Sequence, residues 1–326
     1  MKTIVIAEAG VNHNGNLSLA KKMVDHAKKA GADYIKFQSF DSNEIVTKNA
    51  KKAEYQLEKN DQETHYQMLK KLEINKKFIN KIIKYSKQKK IKFLSTPFDK
   101  NNLKYLMKLK IDFIKIPSGE ITNKPFLKEI KKYNKTILLS TGASTISEIK
   151  KAIKILGKKN IIVLHCNSAY PTPLKDINLN VLNTFKSLNY KYGLSDHSLD
   201  KYIPSVAVGM GASIIEKHFT LSRKMKGPDH KSSLTPSELK IMIDEIRKVE
   251  IALGNKNKLV SSSEKQNRKI IRRSLVAKKI IKKGEIFSSQ NLTSKRPFNG
   301  ISPMDIEKVL GKKAKRIFLK DEKISI

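Results

Sequence analysis

Eight short apolar runs, each ending in polar residues, limit what this chain can fold into. They are TIVIAEAGVN (3–12), YIKFQSF (34–40), KFLSTPFD (92–99), FIKIPSGE (113–120), TILLSTGA (136–143), IIVLHCNSAYP (161–171), YGLSDHS (192–198) and IIEKHFTL (214–221). Each has the length of a fully buried strand, and most intervals between them are long enough for a helix. Eight strand–helix units in series predict an α/β fold, a (β/α)8 barrel of roughly 250 residues. In that fold the strand C-termini meet at one mouth, where catalysis takes place. The runs bring Glu8, Asn12, His13, Lys36, Gln38, Thr96, Lys115, Ser118, Glu120, Ser140, Thr141, His165, Tyr170, Ser195, Asp196, His197 and His218 to that end. A purely structural protein has no use for such a convergence.

Helical spacing fills the intervals. Leu17–Ala30 stops at Gly31, and 78–87, 101–109, 125–133 and 147–156 follow the same pattern. Pro236–Leu253 starts after Thr235, an N-cap residue type followed by proline, and ends at Gly254. The connection 41–77 is longer than one helix needs and is expected to lie over the mouth. Residues 1–254 are therefore assigned to the barrel. Residues 255–271, polar and carrying three consecutive serines, read as a linker. From 272 to 326 short β-type runs alternate with turn signals, a second domain too small to be comfortably stable without a partner.

The chain has 326 residues and a net charge of +37, which raises nucleic acid or an anionic membrane as partners. The distribution argues against both. Only seven of the 67 basic residues are arginine. The lysines are spread over nearly every expected helix, without aromatics interleaved as in single-strand-binding modules. They read as a solvated surface that also attracts anionic substrates. No stretch approaches a membrane span, and the start of the chain lacks a signal-peptide apolar region. A single cysteine, Cys166, excludes an internal disulfide; with these features it points to a cytoplasmic protein.

Lys36 and Lys115 sit near strand ends beside Ser118, Ser140 and Ser195 and the glycine-exposed amides of SGE and STG. Two cations with hydroxyls and open amides suit a phosphate or carboxylate. His197 and His218 end consecutive strands, close enough to share a divalent ion such as Mn²⁺, with Mg²⁺ or Co²⁺ as alternatives. Glu8 and Glu120 end otherwise apolar strands, so each needs a cationic partner or a proton-transfer role. Asp229, in the GPDH loop after the last strand, can hold a sugar hydroxyl. No GxGxxG follows the first strand, and no organic cofactor is implied.

Taken together, AEAGVNHNG, KFQSF, KAEYQ, FLSTPFD, KIPSGEITN, STGAST, LHCNSAYPTP, GLSDHS, IEKHFTL, GPDH and KRPFNGISP resemble the bacterial sialic acid synthase family over essentially the whole chain. The resemblance implies a barrel followed by an antifreeze-like (SAF) domain. It implies condensation of phosphoenolpyruvate with an N-acyl hexosamine, giving a nine-carbon keto acid and phosphate by C–O cleavage. It implies a homodimer in which the SAF domain of one chain covers the partner's barrel. By the same resemblance, Lys36, Gln38, Thr96, Lys115, Ser118, Ser140 and Ser195 hold phosphoenolpyruvate. Tyr170, Asp229 and the partner-facing Arg296 hold the sugar, His197 and His218 the metal, and Glu8 and Glu120 act at the reacting carbons. N-acetylmannosamine, giving N-acetylneuraminate, comes first among acceptors. A diacetamido-trideoxyhexose giving legionaminic acid is the alternative, and pseudaminic acid a weaker third. Ser168, where asparagine is common, and Phe298 in PFNG, where glycine is usual, bear on the choice of sugar. A non-catalytic sugar-phosphate-binding barrel is the competing class, and the polar residue at every strand end argues against it.

Overall fold

Two-residue alternation along the strands decides which side chains reach the mouth. The computed structural model describes residues 2–57 and 62–326. The eight runs form β1 (Ile4–Gly10), β2 (Tyr34–Ser39), β3 (Lys92–Pro97), β4 (Phe113–Ile116), β5 (Thr136–Ser140), β6 (Ile161–Cys166), β7 (Lys191–Asp196) and β8 (Ile214–His218). They lie in the order β3-β2-β1-β8-β7-β6-β5-β4. β1 pairs in parallel with both β2 and β8, which brings the first and last strands of the series together. Among the described residues no ladder joins β3 to β4.

On β1, Val5, Ala7 and Ala9 pack outward in the large apolar cluster shared with the helices. Ile6 instead joins Leu94, Leu138, Leu164 and Ile214 in a separate cluster that fills the barrel interior. Neighbouring residues of a strand point to opposite faces, so the next interior positions are two residues further on. Those are Glu8, Thr96, Ser140, Cys166 and Glu216. On β2 the same step leads from Tyr34 to Lys36 and Gln38. The interior is thus apolar below and polar at the top.

The helices form where the sequence pattern puts them. α1 (Leu17–Ala30) starts at Asn16, whose side chain accepts from the N–H groups of Ser18 and Leu19, and ends at Gly31 with φ 92°. It buries Ala20, Met23, Val24, Ala27 and Ala30, one face at helical spacing. The connection 41–77 contains α2 (Ser42–Ile45), a 3-10 turn over Glu54–Gln56 and α3 (His65–Leu72). Met68 and Leu72 of α3 pack on Val11 and Phe40, so this excursion lies over the barrel mouth. α4 (Lys76–Gln88), α5 (Lys100–Lys108), α6 (Lys124–Lys131) and α7 (Ile146–Leu156) follow. α8 (Val181–Ser187) and α9 (Ile203–Gly209) have seven residues each. α10 (Pro236–Leu253) opens with a capping box between Thr235 and Glu238. No helix among the described residues is long and apolar enough to cross a membrane.

The chain divides into two compact units, Met1–Gly254 and Asn255–Ile326. In the second, β9 (Ser274–Ala277) and β10 (Leu292–Lys295) pair antiparallel. Leu275, Ile281, Phe287, Leu292, Val309, Phe318 and Ile324 form its own small core. The segment expected to be a linker contains α11 (Lys265–Ile271). It is tied to the small unit by the Phe298 N–H, which donates to the Lys269 carbonyl at 2.7 Å.

Candidate active site

The mouth holds a cavity of about 370 Å³. Its floor is a cluster of four buried ionisable side chains. Lys36 Nζ lies 3.0 Å from Glu8 Oε2 and 3.4 Å from Glu216 Oε2, and Lys115 Nζ lies 3.1 Å from Glu216 Oε1. All four come from the inward rows of β1, β2, β4 and β8. Burying any one alone would be prohibitive, and the alternation of two cations with two anions is what makes the cluster tolerable. The two carboxyls respond in opposite ways. Burial, with Glu216 close by, pushes Glu8 up to about 7 against the pull of Lys36. Burial also works to raise Glu216, but Lys115 and Lys36, with the hydroxyl of Ser195 donating at 2.9 Å, hold it well below the usual carboxylate range. One carboxyl therefore exchanges protons near neutrality while its neighbour stays ionised. Glu216 was missing from the sequence-based site. The signal was present in IIEKH, where Glu216 shares a face with Ile214 and His218.

The other expected phosphoenolpyruvate residues surround this floor. Lys36 Nζ donates to Thr96 Oγ1 at 2.7 Å, and Gln38 Nε2 approaches Glu8 Oε1 at 3.4 Å. Ser118 Oγ accepts from the Gly142 N–H at 2.9 Å, and the buried hydroxyl of Ser140 has no partner among the described residues. A Cβ on Gly142 would lie 2.2 Å from Ser168 Oγ and 2.8 Å from Ser118 Oγ. Glycine there is what allows these two hydroxyls to converge.

Several strand-end residues do other work. Glu120 is not buried at the end of β4. It lies beyond it, in the 3-10 turn Ser118–Glu120, half-buried at the cavity rim and accepting from Asn123 Nδ2 at 2.6 Å. Pro117 ends the strand early, so the inward row stops at Lys115. His165 points outward and bonds the Ile177 carbonyl at 2.6 Å. Asp196 pairs with the buried Lys217 behind the strands at 2.6 Å. Thr141 donates to the Leu164 carbonyl, and Asn12 to the Phe219 carbonyl. His13 packs between Phe37 and Phe78 and accepts from the Gly15 N–H; burial lowers it to about 4. His165 and Asp196 fall on the outward rows of their strands, and the others lie in the first turns past a strand end, so none of them continues an inward row.

His197 and His218 do meet, with ring centroids 5.5 Å apart. His197 Nδ1 is 2.6 Å from the Asn167 carbonyl, which can only accept, so that nitrogen carries the proton. Its Nε2 lone pair faces the Tyr170 hydroxyl at 3.1 Å. His218 Nδ1 is buried without a partner. Gly10, at φ 52°, makes room for this ring, because a Cβ there would come within 3.1 Å of His218 Cε1. Two imidazoles on one first-row ion have centroids within about 6 Å, since each nitrogen sits about 2 Å from the metal. The separation of the pair is compatible with a shared ion, which His197 and His218 would hold. No group of three or more His, Cys, Asp or Glu suited to a metal exists among the described residues, so the remaining ligands would be water and substrate oxygen.

Above the floor the cavity is two-sided. One wall carries Tyr170, stacked 4.1 Å from His197, and the buried Asp229, whose carboxyl burial pushes up to about 6. The opposite wall is apolar, formed by Val11, Phe40, Ile45, Met68, Leu69, Leu72 and Phe98. Cys166 lines the floor, its Sγ 3.7 Å from His197 Nδ1. Arg296 belongs to the second unit, where it is exposed and its Nε donates to the Ile271 carbonyl at 2.9 Å.

A barrel whose mouth joins buried lysines, carboxylates and a histidine pair is equipped to hold an anionic substrate and to move protons beside it. The NeuB family profile matches residues 23–258 and the SAF domain profile residues 272–325, and the chain belongs to the NeuB family of nonulosonate synthases. It is 49% identical to N,N'-diacetyllegionaminic acid synthase of Campylobacter jejuni, over 99% of both chains. It is 39% identical to the enzyme of the same name from Legionella pneumophila, over 95% of this chain and 90% of that one. Among solved structures, the N-acetylneuraminic acid synthetase of Leptospira borgpetersenii superposes with a TM-score of 0.72 at 36% identity, covering 82% of this chain and 90% of that one. The protein is thus an enzyme of the phosphoenolpyruvate-condensing type.

Proposed function

We propose that the enzyme condenses phosphoenolpyruvate with the open-chain aldehyde of a 2,4-diacetamido-trideoxyhexose, giving a legionaminic-type keto acid and phosphate. The observation that carries the acceptor is the apolar wall of the cavity. A trideoxy acceptor presents a methyl group and a second acetamido methyl, both of which gain from that wall. N-acetylmannosamine would press a hydroxymethyl group against it, where the hydroxyl goes unpaired. The similarity to the two legionaminic acid synthases supports the same order, which reverses the ranking read from the sequence. Asp229 is suited to accept a hydroxyl of either sugar, so N-acetylmannosamine is the second substrate to test and a pseudaminic precursor the third.

Lys36 and Lys115 bind the carboxylate and phosphate of phosphoenolpyruvate, with Thr96, Ser118 and Ser140 completing the cradle. Carbon 3 attacks the aldehyde carbon, whose oxygen becomes a hydroxyl. Carbon 2, now cationic, takes a water and loses its proton, giving a tetrahedral hemiketal phosphate. Its C2–O bond to phosphate then breaks as the hydroxyl yields its proton and the ketone forms. The permanently ionised Glu216 lowers the energy of the cationic carbon. Glu8 exchanges protons at the reacting carbons, and Glu120 at the rim serves the water side. A divalent ion on His197 and His218, Mn²⁺ by preference, would supply Lewis-acid polarisation of the aldehyde. Phosphoenolpyruvate as co-substrate also favours a cytoplasmic location.

The test is an acceptor panel with phosphoenolpyruvate and Mn²⁺, read by mass spectrometry, with ¹⁸O in the bridging position of phosphoenolpyruvate. The trideoxy acceptor should give the highest kcat/KM, and the label should leave with phosphate. Chelation should abolish turnover and Mn²⁺ restore it. Preference for N-acetylmannosamine would overturn the acceptor assignment; label retained in the keto acid would overturn the mechanism.

A further inference from the structure

Beside the catalytic cavity lies a second one of about 680 Å³, between the 41–77 excursion and the loop after β8. Its charge is lopsided. Lys224, Lys226 and Lys231 line it without a carboxylate partner among the described residues. Lys71 and Arg223 line it too, paired with Glu63 and Glu238. The two cavities share Tyr55, Gln56, Met68, Leu72 and Pro228 in their walls. Tyr55 stands at that boundary. Its ring lies 5.0 Å from that of Tyr170 at 25°, and Tyr170 in turn stacks on His197. Gln56 Nε2 donates to the Tyr55 hydroxyl at 3.2 Å. One aromatic column thus runs from the histidine pair to the partition.

We infer that Tyr55 is the residue that sets acceptor specificity, by closing the catalytic cavity against the basic one. This rests on the acceptor reading above and deepens it. With the ring in place, the distal end of the acceptor meets an aromatic face and the apolar wall, which suits a terminal methyl. With the ring removed, the distal end opens into a chamber lined by Lys224, Lys226 and Lys231, which have no carboxylate partner among the described residues. Such a chamber suits an acceptor bearing a phosphate at its last carbon, because lysines without a carboxylate partner among the described residues can take the anion without first breaking one of the ion pairs seen there.

The experiment compares wild type, Tyr55→Phe and Tyr55→Ala on the trideoxy acceptor, N-acetylmannosamine and N-acetylmannosamine 6-phosphate, with the KM for phosphoenolpyruvate measured in parallel. Tyr55→Phe keeps the stack and should keep the wild-type order of preference among the acceptors. Tyr55→Ala should raise the KM for the neutral acceptors and shift the kcat/KM ratio toward the phosphorylated one by about tenfold or more. The KM for phosphoenolpyruvate should stay within about twofold, since its lysines lie at the floor. Adding Lys226→Ala and Lys231→Ala to Tyr55→Ala should cancel the gain. An unchanged ratio, with the KM for phosphoenolpyruvate intact, overturns the inference while leaving the function standing. Loss of the phosphoenolpyruvate KM as well would make Tyr55 a packing residue and also overturn it. A wild type inactive on every acceptor would overturn the functional reading and this inference together.

Discussion

The ion cluster at the barrel floor makes two side chains of like kind behave differently, and this can be measured. Lys115 contacts Glu216 inside the barrel, whereas Lys70 pairs with Glu73 on the exposed side of α3. Lys115→Ala should lower kcat/KM by roughly 10²-fold or more, the scale for losing a positioned charge in a water-poor site. Lys70→Ala should leave it nearly unchanged, and steady-state kinetics of the two variants checks the contrast. Glu8 gives a signature in stability. Its carboxyl is raised from 4.5 to about 7, so the folded state holds this proton more tightly than the unfolded chain. That contribution is complete below about pH 4.5 and is lost as pH rises through about 7. Glu8→Gln mimics the protonated form and does not titrate. The Tm of Glu8→Gln minus that of wild type should therefore increase by a few degrees between pH 5.5 and pH 8. A constant difference, measured by scanning calorimetry, would mean that Glu8 is ionised throughout.

At the scale of the element, the barrel strands show how far a short apolar run can be read. Gly193 sits in the inward row of β7, where a Cβ would lie 2.4 Å from the Ile214 carbonyl oxygen and 2.8 Å from Leu164 Cδ2. A backbone carbonyl within a ladder cannot move aside. Gly193→Ala should therefore lower the Tm of the barrel by about 5–10 °C. Gly209→Ala, at the end of α9 with nothing within 4 Å, should leave it unchanged or slightly higher. Thermal melts of both variants separate the two cases. The same alternation explains what was legible. Eight strands, the long helices α1 and α10 and the buried ring of Lys36, Lys115, Ser195, His197 and His218 follow from period and punctuation. Glu216 lies inside the apolar run rather than at its polar end, where His218 stands, yet Ile214, Glu216 and His218 share the inward face of β8. Glu120 was misplaced because Pro117 ends β4 before it, and His165 and Asp196 because outward residues at a strand end look like mouth residues in one dimension. The apolar wall was illegible, because Val11, Phe40, Met68 and Phe98 come from three connections that only folding brings together. Helix α11 within the expected linker was missed for want of an apolar face, with none of its residues buried.

For the whole molecule, the open question is how the second unit serves the first. It has its own core around Phe287 and Phe318, but only one two-stranded ladder, and its Arg296 is exposed. The exposed guanidinium within KRPFNG is a multi-donor group suited to an amide carbonyl or hydroxyls of an acceptor. The barrel by itself offers the acceptor Tyr170, Asp229 and an apolar wall, with no arginine lining the cavity among the described residues. We propose a homodimer in which Arg296 of one chain completes the sugar site of the other. Subunit mixing tests this with two lesions of different kind. Lys115→Ala inactivates a barrel, and Arg296→Ala inactivates whichever barrel that tail serves. If tails act across the dimer, a mixed dimer has one barrel with both lesions and one with neither. Activity should then return toward about one quarter of the wild-type value after complete exchange of equal amounts, since half the dimers are mixed and each carries one intact site. If tails act within their own chain, every barrel in the mixture carries one lesion. Exchange demonstrated by native mass spectrometry without any return of activity would therefore assign Arg296 to its own barrel.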